Sequence, residues 1–296
     1  MRKISEFSNE TTVAAFEPHA FTRTVRDQWE QAAQGWNDHA PAIRAWLRDA
    51  TSAMLEMARI KPRSRVLDVA AGTGDQTLDI ADRVGPEGFV LATDLSAAML
   101  AFVKHHARRA GYANVATRVA DGQSLDVGAA SFDAAVCRLG LMLFPDPLSG
   151  LREMYRALKP GGGVCTMVFS RPETNPCIAI LMSTALKHAG LPPRDPYQPG
   201  GLLSLGKPGL IDELFQHAGF KDIATTKIDA PFSLVSTRDY LNFVRASASP
   251  IQQILSKLDA VAAQAAWAEI EQRLGVFQTS AGWKGPNELL LTAARR

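Results

Sequence analysis

The chain has 296 residues, enough for one large domain or two modest ones. Its apolar fraction of 46% is ordinary for a globular protein, and a formal net charge of +2 argues against a nucleic-acid partner. No apolar run approaches the roughly 18 residues of a membrane span. The opening "MRKISEFSNETT" has no apolar stretch behind its two basic residues, and three cysteines without a CxxC pair fit a reducing compartment, so a cytoplasmic protein is expected.

Residues 20–60 read as helical, with Ile43, Leu47, Met54 and Met57 recurring at helical spacing. Gly35 and Pro41 are candidate hinges in this segment. A polar hinge, Lys61 to Arg65, follows. Strands and helices then alternate. "RVLDVA" is a strand and "DQTLDIADRV" a helix; "FVLATDL" is a strand, and the next helix starts from Ser96 as N-cap and stops before Gly111. "NVATRVA", "FDAAVCRL" and "GGVCTMVFS" are further strands, the last two separated by the helix "LSGLREMYRALK". Continuous apolar strands alternating with helices imply a parallel sheet covered on both faces. Beyond Ser170 the rhythm breaks. "PCIAILMSTALKHAG" and "PIQQILSKLDAVAAQAAWAEIEQRLG" are predicted helices, "LIDELFQHAGFKDIATTKI" a helix and strand between them, and "NELLLTAA" a last strand.

The chemistry concentrates in "VLDVAAGTGDQTLDI", a strand, a glycine turn and a helix start, which is a nucleotide-binding layout. A dinucleotide fingerprint needs GxGxxG or GxGxxA. Gly72 and Gly74 supply the first two positions, but Thr77 takes the third. Asp75 stands at the helix N-terminus, where a pyrophosphate would sit, and Asp68 adds a second negative charge upstream. Asp94 closes the next strand about twenty residues beyond Gly74, where an acidic residue takes ribose hydroxyls. The pattern asks for a ligand with a ribose, a cationic part and no phosphate, which S-adenosyl-L-methionine satisfies. Thr77 and Asp75 weigh against a nicotinamide oxidoreductase.

At these residues the sequence resembles the class I S-adenosylmethionine-dependent methyltransferases, closest to the ubiquinone/menaquinone-biosynthesis C-methyltransferases and related small-molecule enzymes. The likeness runs over about residues 61–170 through "VLDVAAGTGD", "VLATDLSAAML", "ADGQSLDV", "SFDAAVCRLGLMLFPD" and "REMYRALKPGGGV". It implies an α/β, Rossmann-like fold: a mostly parallel seven-stranded sheet with helices on both faces, an N-terminal helical lid and helical cap insertions. It implies that Gly72, Thr73 and Gly74 form the methionine end of a cofactor site to which Asp68 and Ala70 also belong. Asp94 would hold the ribose, Leu95 and Met99 flank the adenine, Asp121 accept from its amino group beside Gly122, and Arg138 contact the cofactor. Where the family often carries Gly-Gly, this chain has Ala70-Ala71. S-adenosyl-L-homocysteine would be the product.

Methyl transfer needs an in-line acceptor and exclusion of water rather than a catalytic triad or metal cluster, and none is visible. A phenolic acceptor would gain from a base, for which His39 in the lid segment is the candidate; Trp36 there would shield the methionine end. Residues 1–60 are expected as the lid and 61–170 as the cofactor-binding core. Residues 171–296 hold the cap insertions (about 171–206 and 231–284) with the last core helix and strands (about 207–230 and 285–296). The apolar cap points to a small, partly apolar acceptor such as a phenol or quinol. The (N/D)PP(Y/F) segment of amino-directed nucleic-acid methyltransferases is replaced by "RLGLMLF". No nucleic acid and no membrane span are expected; a homodimer is left open. The alternative is a protein of this fold that binds the cofactor without spending its methyl, for cyclisation or as a binding module.

Overall fold

The computed structural model describes residues 18–247 and 249–296. Helices α1 (Pro18–Asp38) and α2 (Ala40–Met57) precede the sheet. The alternating core follows as β1 (Arg65–Val69), α3 (Asp75–Val84), β2 (Phe89–Asp94), α4 (Ala97–Arg109), β3 (Val115–Val119), β4 (Phe132–Arg138), α5 (Pro147–Ala157) and β5 (Leu158–Phe169). Then come α6 (Pro176–His188), α7 (Leu210–His217), β6 (Lys221–Asp229), β7 (Phe232–Leu234), α8 (Thr237–Ser247), α9 (Ser249–Leu255), α10 (Ala260–Leu274), β8 (Gln278–Thr279), β9 (Gly282–Gly285) and β10 (Glu288–Arg295).

Seven strands form one sheet in the order β3-β2-β1-β4-β5-β10-β6. The first five are parallel; β10 inserts antiparallel between β5 and β6. Val66, Leu67, Ala135, Val136, Val164 and Met167 are wholly buried, as strands covered on both faces require. The chain reverses its direction of travel across the sheet between β1 and β4. The loops leaving the carboxyl ends of β1, β2, β3 and β4 therefore surround a crevice, where open α/β sheets bind ligands.

The lid segment divides at His39. In α2, Ile43, Leu47 and Met54 share one face and are fully buried against the sheet at β5 and β10, so α2 is core. Helix α1 instead crosses the outside of α4 and α8. Gly35, expected as a hinge, lies inside α1: a Cβ there would stand 2.2 Å from the Ala246 carbonyl oxygen, so glycine permits the close approach to α8. The first 17 residues of the expected lid lie outside the described residues.

Two differences lie in the second insertion. The long helix expected over 250–275 is two: α9 ends at Leu255, and Asp259 starts α10 by accepting from the Ala262 N–H at 2.8 Å. The insertion is also not purely helical, since β7, β9 and β8 pair as a small antiparallel sheet beside α8.

Candidate active site

A cleft of about 910 Å³ opens over the carboxyl ends of β1, β2, β3 and β4. Of the residues singled out from sequence, Trp36, Ala70, Gly72, Asp94, Leu95, Met99, Asp121, Gly122 and Arg138 line it. Asp68, Thr73 and Gly74 lie beneath or beside the turn without lining it, and His39 is also off the wall. Gln76, Trp29, Gln123 and Phe144, not foreseen, are among the other residues that line it.

The turn after β1 winds through left-handed backbone, with Ala70 at φ 56°, Gly72 at φ 57° and Gly74 at φ 92°. Glycine adopts this without strain, but Ala70 does not; Leu139, after β4 on the same cleft, is likewise at φ 57°. The Asp94 carboxylate ties two loops together. One oxygen accepts from the Gly72 N–H at 2.9 Å and the other from the Ser96 N–H at 2.9 Å. Each oxygen keeps a further lone pair for a ligand hydroxyl. Burial raises the Asp94 carboxyl above its ordinary range, against the pull of these two N–H groups.

Asp68 is sealed under the turn at 0% exposure. It accepts from the Thr77 hydroxyl at 2.6 Å and the Gln76 amide at 3.2 Å. Thr77 thus departs from the dinucleotide pattern because its hydroxyl anchors this buried acid. Burial pushes the Asp68 carboxyl up to about 6 despite both donors and Arg138. Asp75, read from sequence as repelling phosphate, is held by Arg138 at 3.1 Å and Arg44 at 3.3 Å. Its charge is thereby offset, and the weight against phosphate shifts to Asp94. Arg138 also donates to Thr51 Oγ1 at 3.0 Å, and its side chain is almost fully buried. On the far side, the Asp121 carboxylate is oriented by the Gln123 N–H at 2.9 Å.

Helix α1 roofs the cleft. Trp36 meets Trp29 edge to face at 5.8 Å, and its Nε1 lies 3.7 Å from where a Gly72 Cβ would stand. Glu30 clamps α1 to α4, accepting from the Ala97 and Ala98 N–H groups at 2.6 and 3.1 Å. With Asp94 on Ser96 and Ser96 Oγ on Met99 at 3.0 Å, side chains accept from every backbone N–H between Ser96 and Met99. Asn37 and His106 join the helices again at 2.8 Å. His39 donates from Nδ1 to the Gly35 carbonyl at 2.8 Å and packs edge-on to Phe243.

A second cleft of about 730 Å³ adjoins the first, and Trp29, Trp36, Leu139 and Leu143 belong to both. Its walls are aromatic. Trp46 stacks on Phe232 at 4.7 Å, Phe232 meets Phe243 edge to face at 5.1 Å, and Tyr240 stacks on Trp283 at 4.4 Å. No Asp, Glu, Lys, Arg or His lines it among the described residues. Nor do the described residues include a group of three or more His, Cys, Asp or Glu placed to hold a metal. No helix of the described residues is long and apolar enough to cross a membrane.

The sheet order, the left-handed turn after β1 and the acid closing β2 define a Rossmann-like class I methyltransferase fold. Within that class, residues 43–185 match the ubiE/COQ5 methyltransferase family. The ubiquinone/menaquinone biosynthesis C-methyltransferase of Ectopseudomonas mendocina is 37% identical over 131 residues, covering 44% of this chain and 51% of the relative. The chain spans about half the length of the curated relatives it matches. Among solved structures, the YcgJ protein of Bacillus subtilis superposes with a TM-score of 0.58 at 17% identity, covering 84% of this chain and 98% of the other. The Haemonchus contortus phosphoethanolamine N-methyltransferase 2, solved with S-adenosylhomocysteine, gives 0.57 at 18% identity over 92% of this chain and 60% of the other. At these identities the likeness is one of fold.

Proposed function

We propose that the protein transfers the methyl group of S-adenosyl-L-methionine to a small, largely apolar acceptor. One observation carries this reading: a nucleotide-type cleft, acidic at its ribose and adenine positions, opens through the shared Trp29–Trp36 wall onto an uncharged aromatic chamber. The match of residues 43–185 to a methyltransferase family supports it.

The residues fit the cofactor. Asp94 offers its spare lone pairs to the two ribose hydroxyls while the Gly72 N–H fixes it in place. Leu95 and Met99 line the cleft and would flank the adenine, and Asp121 on the same wall would accept from its amino group. Trp36 lies over the glycine turn, where the methionine end would rest. When bound, the cofactor supplies a sulfonium-activated methyl. The chain's own part is to seat the acceptor in line with it and keep water out. Roofing by α1 and an apolar chamber serve both ends. The transfer needs no base from His39, whose ring is turned to Gly35 and Phe243. Methyl transfer is favoured over cofactor binding alone because the chamber offers a second ligand room beside the cofactor site.

Calorimetry with S-adenosylhomocysteine tests the site. Asp94→Ala should weaken binding by about 2–3 kcal/mol, the loss of charge-assisted hydrogen bonds at a partly buried carboxylate. Unchanged affinity would remove Asp94 from the site. Incubation with methyl-labelled cofactor and a panel of phenols, quinols and amines tests the reaction; label retained by the cofactor with every acceptor would favour the non-methylating reading.

A further inference from the structure

We propose that Tyr240 on α8 selects the acceptor by donating a hydrogen bond from its hydroxyl to an oxygen of a neutral, flat, apolar molecule held in the aromatic chamber. The proposal rests on the cofactor reading of the adjoining cleft. It concerns a residue outside the 43–185 segment that matches the methyltransferase family.

Tyr240 is a wall residue of the chamber and only 6% exposed. Its ring is fixed from three directions: it stacks on Trp283 at 4.4 Å, meets Phe232 edge to face at 5.8 Å and lies 6.3 Å from Phe243. Its hydroxyl makes no hydrogen bond with a described residue, yet it is not sealed inside the protein. Thr166 Oγ1 is the one sealed side-chain nitrogen or oxygen without a partner among the described residues. The Tyr240 hydroxyl is therefore not fully enclosed, and the chamber is the cleft that Tyr240 lines. A buried hydroxyl without a partner is costly, and a ligand in the cleft that its residue lines can supply the partner.

Two of the neighbouring polar groups are already committed, and the Asn287 amide is committed in part. Trp46 Nε1 donates to the Ala230 carbonyl at 2.7 Å, Asn287 Nδ2 to Gly285 at 3.3 Å, and the Ser247 hydroxyl to Phe243. Burial pushes the Tyr240 phenol far above its ordinary pKa, so it stays protonated and donates. With no cationic side chain on the wall, a carboxylate or phosphate would enter without a counter-charge and lose its hydration. Around Tyr240 the chamber is lined by the rings of Trp29, Trp36, Trp46, Phe169, Phe232 and Phe243, a wall suited to a planar acceptor.

The test titrates three probes of one shape into the complex with S-adenosylhomocysteine: naphthalene, 2-acetonaphthone and 2-naphthoate. The wild type should bind the ketone about tenfold more tightly than naphthalene, the effect of one hydrogen bond, and the carboxylate least. Tyr240→Phe keeps the stack and loses the hydroxyl. It should bring the ketone down to naphthalene's affinity while leaving affinity for naphthalene and S-adenosylhomocysteine unchanged. A ketone preference that survives in Tyr240→Phe overturns the assignment, as does tightest binding of 2-naphthoate. Should the variant fail to bind S-adenosylhomocysteine, the wild-type ranking still decides: equal affinity for ketone and naphthalene overturns it. If wild type does not bind S-adenosylhomocysteine, the cofactor reading has failed. If it binds that ligand but none of the probes, the chamber proposal alone has failed.

Discussion

Asp68 and Asp94 sit at the ends of neighbouring strands, and burial raises both carboxyls. They differ in what surrounds them. Asp94 faces the cleft and is held by two backbone N–H groups; Asp68 is enclosed with Thr77 and Gln76. Asp68 at about 6 in the fold, against 3.8 for an unperturbed carboxyl, binds its proton more tightly folded than unfolded. Its contribution to stability is whole below pH 3.8 and is lost as pH rises through about 6. The loss is on the order of 3 kcal/mol at neutral pH. Asp68→Asn has no such charge, and its amide can exchange hydrogen bonds with Thr77 and Gln76. The variant's stability relative to wild type should therefore grow between about pH 4 and 6 and level off above, as measured by urea unfolding across that range. A stability difference independent of pH would show that Asp68 is neutral, or fully compensated, throughout.

At the scale of elements, α1 is held by apolar packing on α8 and by polar contacts with α4. Among the described residues, Glu30 on the α4 N-terminus and Asn37 on His106 tie it to α4, while Gly35 lets it settle against α8. Removing a side chain that caps a helix N-terminus costs about 1 kcal/mol. Glu30→Ala should loosen α1 by that amount, quicken tryptic cleavage at Arg23 and Arg26, and lower S-adenosylhomocysteine affinity several-fold; bound ligand should slow cleavage again. Cleavage rates equal in both proteins, with and without ligand, would mean that α1 does not open.

The sequence shows some of these elements and hides others for physical reasons. In β1, β2, β4 and the second half of β5 the buried residues are mostly apolar and consecutive, so their pattern is strong, whereas β3 is partly polar and less buried. Strands β7, β8 and β9 are two to four residues long and carry no period. α9 and α10 share one helical periodicity across the break at Asp259. Asp94, Asp121 and Arg138 were legible because each follows or closes a strand of a recognisable unit. Glu30 and Tyr240 were not: Glu30 meets α4 67 residues away. The role of Tyr240 depends on a ring from β9 and a wall from α1. The pairing of Asp75 with Arg44 and Arg138 was equally hidden, and it changed the electrostatic reading of the turn.

For the molecule as a whole, the two N-terminal helices serve different units, and truncation separates them. α2 buries Ile43, Leu47 and Met54 completely beneath the sheet at β5 and β10. Three such side chains contribute roughly 5–9 kcal/mol of apolar burial, comparable to the whole stability of a domain. α1 buries Ala32 and Ala33 and supplies Trp29 and Trp36, which wall both clefts at once. A chain beginning at His39 should thus melt cooperatively, with a Tm a few degrees lower. It should lose S-adenosylhomocysteine affinity and methyl transfer together, because one missing helix opens both chambers to water. A chain beginning at Lys61 should not fold. Circular dichroism melts and calorimetry on the two truncations distinguish the outcomes. An unfolded His39 start would make α1 part of the core. A His39 start with wild-type affinity would show that the cofactor cleft closes without α1. A folded Lys61 start would show that the sheet is stable without α2.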